Sequence, residues 1–125
     1  MADITRIPPH SVESEQSILG SILLDKDAII TVAETITPTD FYKDAHRIIY
    51  ESMMALNNKN EPIDMVTLTD ELRKRGYLDD IGGVTYLTSL STIVPTTSNV
   101  KYYADIVKEK SVLRQLIKAS NDIIN

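Results

Sequence analysis

The chain reads as an all-α protein, a compact bundle of about six helices, and three observations predict it. Apolar residues recur at steps of three and four through most of the 125 residues, the spacing that gathers side chains on one face of a helix. No stretch alternates at period two for more than a few residues, and no hairpin dipeptide separates two β-branched runs, so strands lack their usual signals. Short turns rich in Pro, Gly, Asn or Asp separate the periodic runs, which suits helices joined by short loops.

The elements follow in order. Ile7-Pro8-Pro9 is extended, because each proline fixes its own φ and turns its predecessor away from helix. Ser11 is a plausible N-cap, Glu13 and Glu15 fall in a first turn that favours anions, and Ile18, Leu19, Ile22 and Leu23 form a helical stripe. Asp25 or Asp27 starts a short second helix bearing Ile29, Val32, Ala33 and Ile36, ended by Thr37-Pro38. A third helix carries Ala45, Ile48, Ile49, Ser52, Met53 and Leu56 and leaves through Asn57-Asn58-Lys59-Asn60. After Glu61-Pro62-Ile63-Asp64, Thr67 opens a fourth helix through Leu68 and Leu72, with Gly76 placed to take positive φ at its end. Gly82-Gly83 breaks the chain again. Val84, Leu87 and Leu90 then mark a fifth helix, halted at Val94-Pro95.

The last run, residues 98–125, is predicted to be one long helix capped by Ser98 or Thr97. At 1.5 Å per residue it would span about 40 Å, more than the width of so small a domain. Asn121-Asp122-Ile123-Ile124-Asn125 carries no Gly or Pro stop and no basic last turn. The pattern reads as a helix cut short, with its far end projecting. Tyr103, Ile106, Lys110, Leu113, Ile117, Ser120 and Ile124 recur at alternating steps of three and four, the seam by which one helix packs lengthwise on another. Tyr103, Ile106 and Leu113 are expected to close the domain's own core. Ile117 and Ile124 are expected at an interface, with an antiparallel partner helix or a second copy of the chain. The expected organisation is an extended segment over residues 1–10, a globular head over 11–97 and the long helix over 98–125.

Composition bounds the function. At 42% hydrophobic and 25% charged, the chain has the balance of a soluble fold. No apolar run approaches the roughly 18 residues of a membrane span, and Met1-Ala2-Asp3-Ile4-Thr5-Arg6 lacks a signal peptide's apolar core, so a cytoplasmic protein is expected. Cysteine is absent and the net charge is −5, which removes thiolate chemistry and argues against a surface that grips nucleic acid as a whole.

Catalytic signals are sparse. None of Gly20, Gly76, Gly82 and Gly83 is followed by the Lys of a phosphate-binding loop, so nucleotide hydrolysis within the chain is not expected. His10 and His46 have no second ligand at helical spacing, so no metal site is expected. Asp44 and His46, two residues apart, would not face each other on a helix; Asp44 reads as a cap of the third helix and His46 as lying on its flank. Asp79-Asp80 reads as a solvated turn, Arg73-Lys74-Arg75 as stabilising the end of the fourth helix, and Lys101, Lys108, Lys110, Arg114 and Lys118 as a mostly solvated face.

The assembled motifs resemble the opening of bacterial replicative DNA helicases of the DnaB family. The resemblance rests on Arg6-Ile7-Pro8-Pro9-His10-Ser11-Val12-Glu13-Ser14-Glu15-Gln16-Ser17-Ile18-Leu19-Gly20-Ser21-Ile22-Leu23-Leu24-Asp25, Asp40-Phe41-Tyr42 with His46, Pro62-Ile63-Asp64-Met65-Val66-Thr67-Leu68, Gly82-Gly83-Val84-Thr85-Tyr86-Leu87 and Pro95-Thr96-Thr97-Ser98-Asn99, in the family's order and spacing. It implies an N-terminal, non-catalytic domain whose long last helix is the first arm of a helical hairpin. It further implies that the second arm, a linker and a RecA-like motor using ATP and Mg lie beyond this sequence. Self-association as dimers, and as a trimer of dimers in a hexameric collar, is implied, together with docking of the primase helicase-binding domain; DNA would be met mainly by the motor. Carried over by motif, Glu13, Tyr86 and Ile117 are the expected docking residues. Read without the resemblance, Glu13 needs only the helix dipole, Tyr86 is a core-edge aromatic, and Ile117 is an apolar side chain on a projecting helix. The alternative function is a single-stranded DNA guide through the basic positions of the last helix, near Tyr102 and Tyr103.

Overall fold

A computed structural model describes residues 7–94 and 96–124 of the chain. The expected six helices are present: α1 (Val12–Leu24), α2 (Ala28–Ala33), α3 (Asp44–Asn58), α4 (Met65–Arg75), α5 (Gly83–Ser91) and α6 (Val100–Ile124), with a 3₁₀ turn, Pro38–Asp40, before α3. No strand occurs among the described residues. Residues 1–6, the Pro95 stop and the terminal Asn125 lie outside them.

α1 is the central helix and packs against α2, α3, α5 and α6, while α4 leans on α3 and α5. Its Ile18, Leu19 and Ile22 meet Ile29 and Val32 of α2, Ile49, Tyr50, Met53 and Leu56 of α3, Leu68 and Leu72 of α4, and Leu87 and Leu90 of α5 in one core. Burial of this apolar surface drives the fold. Gly20 permits the tight crossing of α1 and α5, because a Cβ there would strike the Leu90 carbonyl oxygen.

Local signals hold in most places. Ser11 caps α1 by accepting from the Ser14 N–H at 3.2 Å, and Gly76 closes α4 in the left-handed region at φ 80. α4 starts at Met65, two residues before the expected Thr67, because Asp64 is the cap and Thr67 completes its capping box. Thr37-Pro38 does not end α2, which stops at Ala33, but opens the 3₁₀ turn. Lys43 is the N-cap of α3, and Asp44 is its first helical residue rather than its cap. Before α6 the Thr97 hydroxyl donates to Asp25 and the Ser98 hydroxyl pairs with Thr96, so both expected caps are engaged elsewhere. Val84 is half exposed, and only Leu87 and Leu90 of its stripe are buried.

α6 is one unbroken helix of 25 residues, about 37 Å long. Its buried face is Val100, Ala104, Val107 and Ser111, not the expected Tyr103, Ile106 and Leu113. α6 packs on α1, α2 and the 3₁₀ turn through this face of smaller residues, with the Ser111 hydroxyl on Asp40 of the turn, and the larger residues lie on its outer side. Tyr103 remains half-buried against the core edge, while Ile106 and Leu113 are exposed. From Gln115 to Ile124 every residue is exposed, so the last turns add nothing to the core. No helix among the described residues is long and apolar enough to cross a membrane.

Candidate protein-docking site

The first turn of α1 sends its two glutamates in opposite directions. Glu13 is exposed, whereas Glu15 is 1% exposed. Glu15 lies on the same helical face as Ile18, Leu19 and Ile22, and it is carried into the junction of α1, α3 and α5. There its Oε2 accepts from the Tyr42 N–H at 2.7 Å, and its Oε1 accepts from the Lys43 N–H at 3.3 Å. The Lys43 cap has no side-chain acceptor for the start of α3, so Glu15 supplies one from α1, at the end where the dipole of α3 favours an anion.

His46 completes the junction. It is buried at 2% exposure, not placed on the flank of α3 as its sequence neighbours suggest. Its Nδ1 lies 2.7 Å from Glu15 Oε1 and its Nε2 lies 2.6 Å from the Tyr86 hydroxyl. Gln16 donates its side-chain N–H to the same hydroxyl at 3.3 Å. One arrangement satisfies every atom with a neutral imidazole: Gln16 donates to Tyr86, the Tyr86 O–H to His46 Nε2, and the His46 Nδ1–H to Glu15. The His46 and Tyr86 rings are nearly parallel, 11° apart with centroids 5.9 Å apart. Gly82, at φ 107, fits beneath the tyrosine, where a Cβ would approach Tyr86 Cβ to 2.7 Å.

A second polar cluster ties α6 to the head. The buried Asp40 carboxylate accepts from the Ser111 hydroxyl at 2.6 Å and from the Thr37 N–H at 2.8 Å, with Lys108 Nζ 3.5 Å away. Burial opposes the charged form, but the hydrogen bonds from Ser111 and Thr37 and the Lys108 charge outweigh it and hold the carboxyl below its ordinary 3.8. A carboxyl lowered on folding adds stability that is present above pH about 4 and is lost as pH falls through its folded value. Denaturant unfolding near pH 7 and near pH 3 should therefore show an Asp40→Asn chain that is less stable than the unaltered chain, by the larger margin at the higher pH. Its stability should fall less on acidification than that of the unaltered chain.

Arg114 bridges the same region to the N-terminal segment. It donates to the Pro9 carbonyl at 2.8 Å and the Asp40 carbonyl at 2.7 Å, and its guanidinium stands 5.5 Å from the centre of the Tyr42 ring. His10 stacks on the same Tyr42 ring, with centroids 4.1 Å apart. Ile7, Pro8 and Pro9 are thereby laid along α6, and with Arg114, Ile117, Lys118, Asn121 and Asp122 they bound a groove of about 740 Å³.

Of the expected docking residues, Glu13 and Tyr86 fall on neighbouring surfaces. Gln16, one turn beyond Glu13 on α1, reaches Tyr86. Ile117 is half exposed in the groove wall, one turn beyond Arg114. No hydrogen bond joins it to the Tyr86 junction. The seam residues Ile106, Leu113, Ile117 and Ile124 are all exposed along α6, reaching 80% at Ile124. Of the basic positions on α6, Lys101 pairs with Asp105, Lys108 with Asp40, and Arg114 binds two carbonyls, which leaves a weak cationic stripe for a nucleic acid. The sequence marks Glu15 only as a first-turn anion, His46 as a flank residue, Arg114 as a solvated cation and Asp40 only within a family motif; none is expected as a buried or bridging group, although Glu15 and His46 occupy apolar-face positions of their helices.

These features define a small all-α module with its polar side chains tied to one another and an apolar stripe along its longest helix. The family model of the DnaB-like helicase N terminal domain matches residues 7–109, and the chain belongs to that family. It is 48% identical over 118 residues to the replicative DNA helicase DnaB of Geobacillus stearothermophilus and 44% identical over 118 residues to the replicative DNA helicase DnaC of Bacillus subtilis. These matches cover 94% of this chain but 26% of each relative, so the chain spans about a quarter of the length of the curated relatives it matches. The crystal structure of the N-terminal domain of DnaB helicase from Mycobacterium tuberculosis superposes with a TM-score of 0.92 at 46% identity, covering 94% of this chain and 86% of that one. A DnaB-like replicative helicase, whose structure was described with its interactions with primase, superposes with a TM-score of 0.79 at 31% identity over 91% of this chain and 27% of that one.

Proposed function

We propose that the chain is the assembly and docking domain of a replicative DNA helicase. It forms part of an N-terminal collar, built from dimers and from a trimer of dimers in the hexamer, and receives the helicase-binding domain of primase during DNA replication. Unwinding, ATP and Mg binding and most contact with DNA belong to a motor in the remainder of the protein. The observation that carries this reading is the apolar stripe of α6, which leaves Leu113, Ile117 and Ile124 exposed, with Ile117 in the groove beside the pinned N-terminal segment. An exposed apolar stripe on a projecting helix is stable in solution but gains most when another helix covers it. The likeness to a helicase described with its primase interactions supports primase as the partner.

Within this reading Glu13, Tyr86 and Ile117 meet primase, while Tyr103, Ile106, Leu113, Ile117 and Ile124 pair α6 with a second helix. Calorimetric titration with the C-terminal domain of primase tests the assignment. Ile117→Asp places a charge in an apolar contact and should weaken binding by tenfold or more, an effect of about 1.4 kcal/mol or greater. The variant should keep its fold, because Ile117 lies outside the core. Equal binding by both chains would remove Ile117 from the interface.

A further inference from the structure

Glu13 and Ile117 present side chains free of buried partners, but Tyr86 does not. Its hydroxyl is held at 2.6 Å by His46 and at 3.3 Å by Gln16. His46 is itself immobile, because its ring is buried and its Nδ1 is tethered to Glu15 at 2.7 Å. Glu15 is fixed in turn by the Tyr42 and Lys43 backbone N–H groups at the start of α3. The Tyr86 ring therefore stands at the end of a hydrogen-bonded chain that begins on two backbone amides. Three helices contribute: α1 gives Glu15 and Gln16, α3 gives His46, and α5 gives Tyr86.

A tyrosine at a surface ordinarily loses two free torsions when a partner fixes it. One already held in its bound orientation loses less, and binds more tightly for the same contacts. We propose that Glu15 and His46 are positioning residues for Tyr86, holding its ring in the orientation in which it meets the docking partner. This inference rests on the docking role of Tyr86 given above, and it assigns a function to two residues that never reach the surface themselves.

A double-mutant cycle read by titration with the C-terminal domain of primase decides it. Tyr86→Phe removes only the hydroxyl and should weaken binding about three- to tenfold, the scale of one hydrogen bond. His46→Gln keeps a donor for Glu15 and should weaken binding by a similar factor. Combined, the two should weaken it no more than either alone, because His46 acts through the hydroxyl that Tyr86→Phe has removed. A residue with a purely structural role would give the same further loss in both backgrounds, and that result would overturn the proposal. Full affinity in Tyr86→Phe together with lost affinity in Tyr86→Ala would also overturn it, while leaving Tyr86 a docking residue. Full affinity in Tyr86→Ala would remove the docking role and the positioning role together. Should His46→Gln not fold, the Tyr86→Phe and Tyr86→Ala pair still decides between hydroxyl and ring.

Discussion

A Glu15→Ala chain is expected to lose about 3–5 kcal/mol of folding stability, while Glu13→Ala, two residues earlier, stays within about 0.5 kcal/mol of the unaltered chain. The difference follows from where the two carboxylates point. Glu15 accepts from the Tyr42 N–H, the Lys43 N–H and the His46 Nδ1–H, and its removal leaves three donors without their acceptor. Each buried donor left unpaired costs about 1–3 kcal/mol. The bonds to the Tyr42 and Lys43 amides are only part-buried, which holds the total below the simple sum. Glu13 supplies only a favourable charge in an exposed first turn. Glu15→Gln should recover a small part of the loss, because an amide keeps one accepting oxygen but turns an N–H₂ toward the remaining donors. Denaturant unfolding followed by circular dichroism checks all three variants. A loss below about 1 kcal/mol for Glu15→Ala would show that the junction is well hydrated and carries little stability.

The second large effect is expected at Gly20. Its missing Cβ is the space through which α1 approaches α5: an added methyl group would overlap the Leu90 carbonyl oxygen and sit 3.4 Å from the Leu90 carbonyl carbon and Val94 Cγ2. Two effects oppose each other. Alanine is the better helix former by about 1 kcal/mol, yet the obstruction is backbone, which cannot turn aside as a side chain tip does. Forcing extra volume into a close-packed contact costs about 1–3 kcal/mol or more, so Gly20→Ala should be destabilising on balance by about 1–2 kcal/mol. Gly20→Val should exceed it, since a β-branched side chain adds volume and has fewer rotamers with which to avoid α5. Thermal unfolding of the two variants gives the order, and a stabilised Gly20→Ala would mean that α5 yields freely at this crossing.

The two junctions show what a sequence makes legible and what it hides. The helices were readable because Ile18, Leu19 and Ile22 in α1, and Ile49, Met53 and Leu56 in α3, keep the helical step. Glu15 and His46 keep the same step and so mark buried polar positions. That each would find the other depends on the packing of α1 on α3, 31 residues apart in the chain, which periodicity alone does not encode. The buried face of α6 differs from the one its apolar pattern predicts for a related reason. Apolar size points to Tyr103, Ile106 and Leu113, but the face that is buried carries the smaller Ala104 and Ser111, and Asp40 gives the Ser111 hydroxyl a partner only in the folded domain. Arg114 looked like one more solvated cation. Its use as a clamp on Pro9 and Asp40 spans 105 and 74 residues. The family motifs placed Glu13, Tyr86 and Ile117 by order along the chain, whereas their surroundings come from folding.

The docking claim is tested most directly by following the backbone amide signals of the isotopically labelled chain during the primase titration. Primase bound as proposed should produce its largest shifts around Glu13, Tyr86 and Ile117 and along the groove formed by Ile7, Arg114 and Asn121. The α4 face at Val66, Thr69 and Arg73 should stay quiet. Shifts concentrated on that α4 surface, with Glu13, Tyr86 and Ile117 unmoved, would contradict the account.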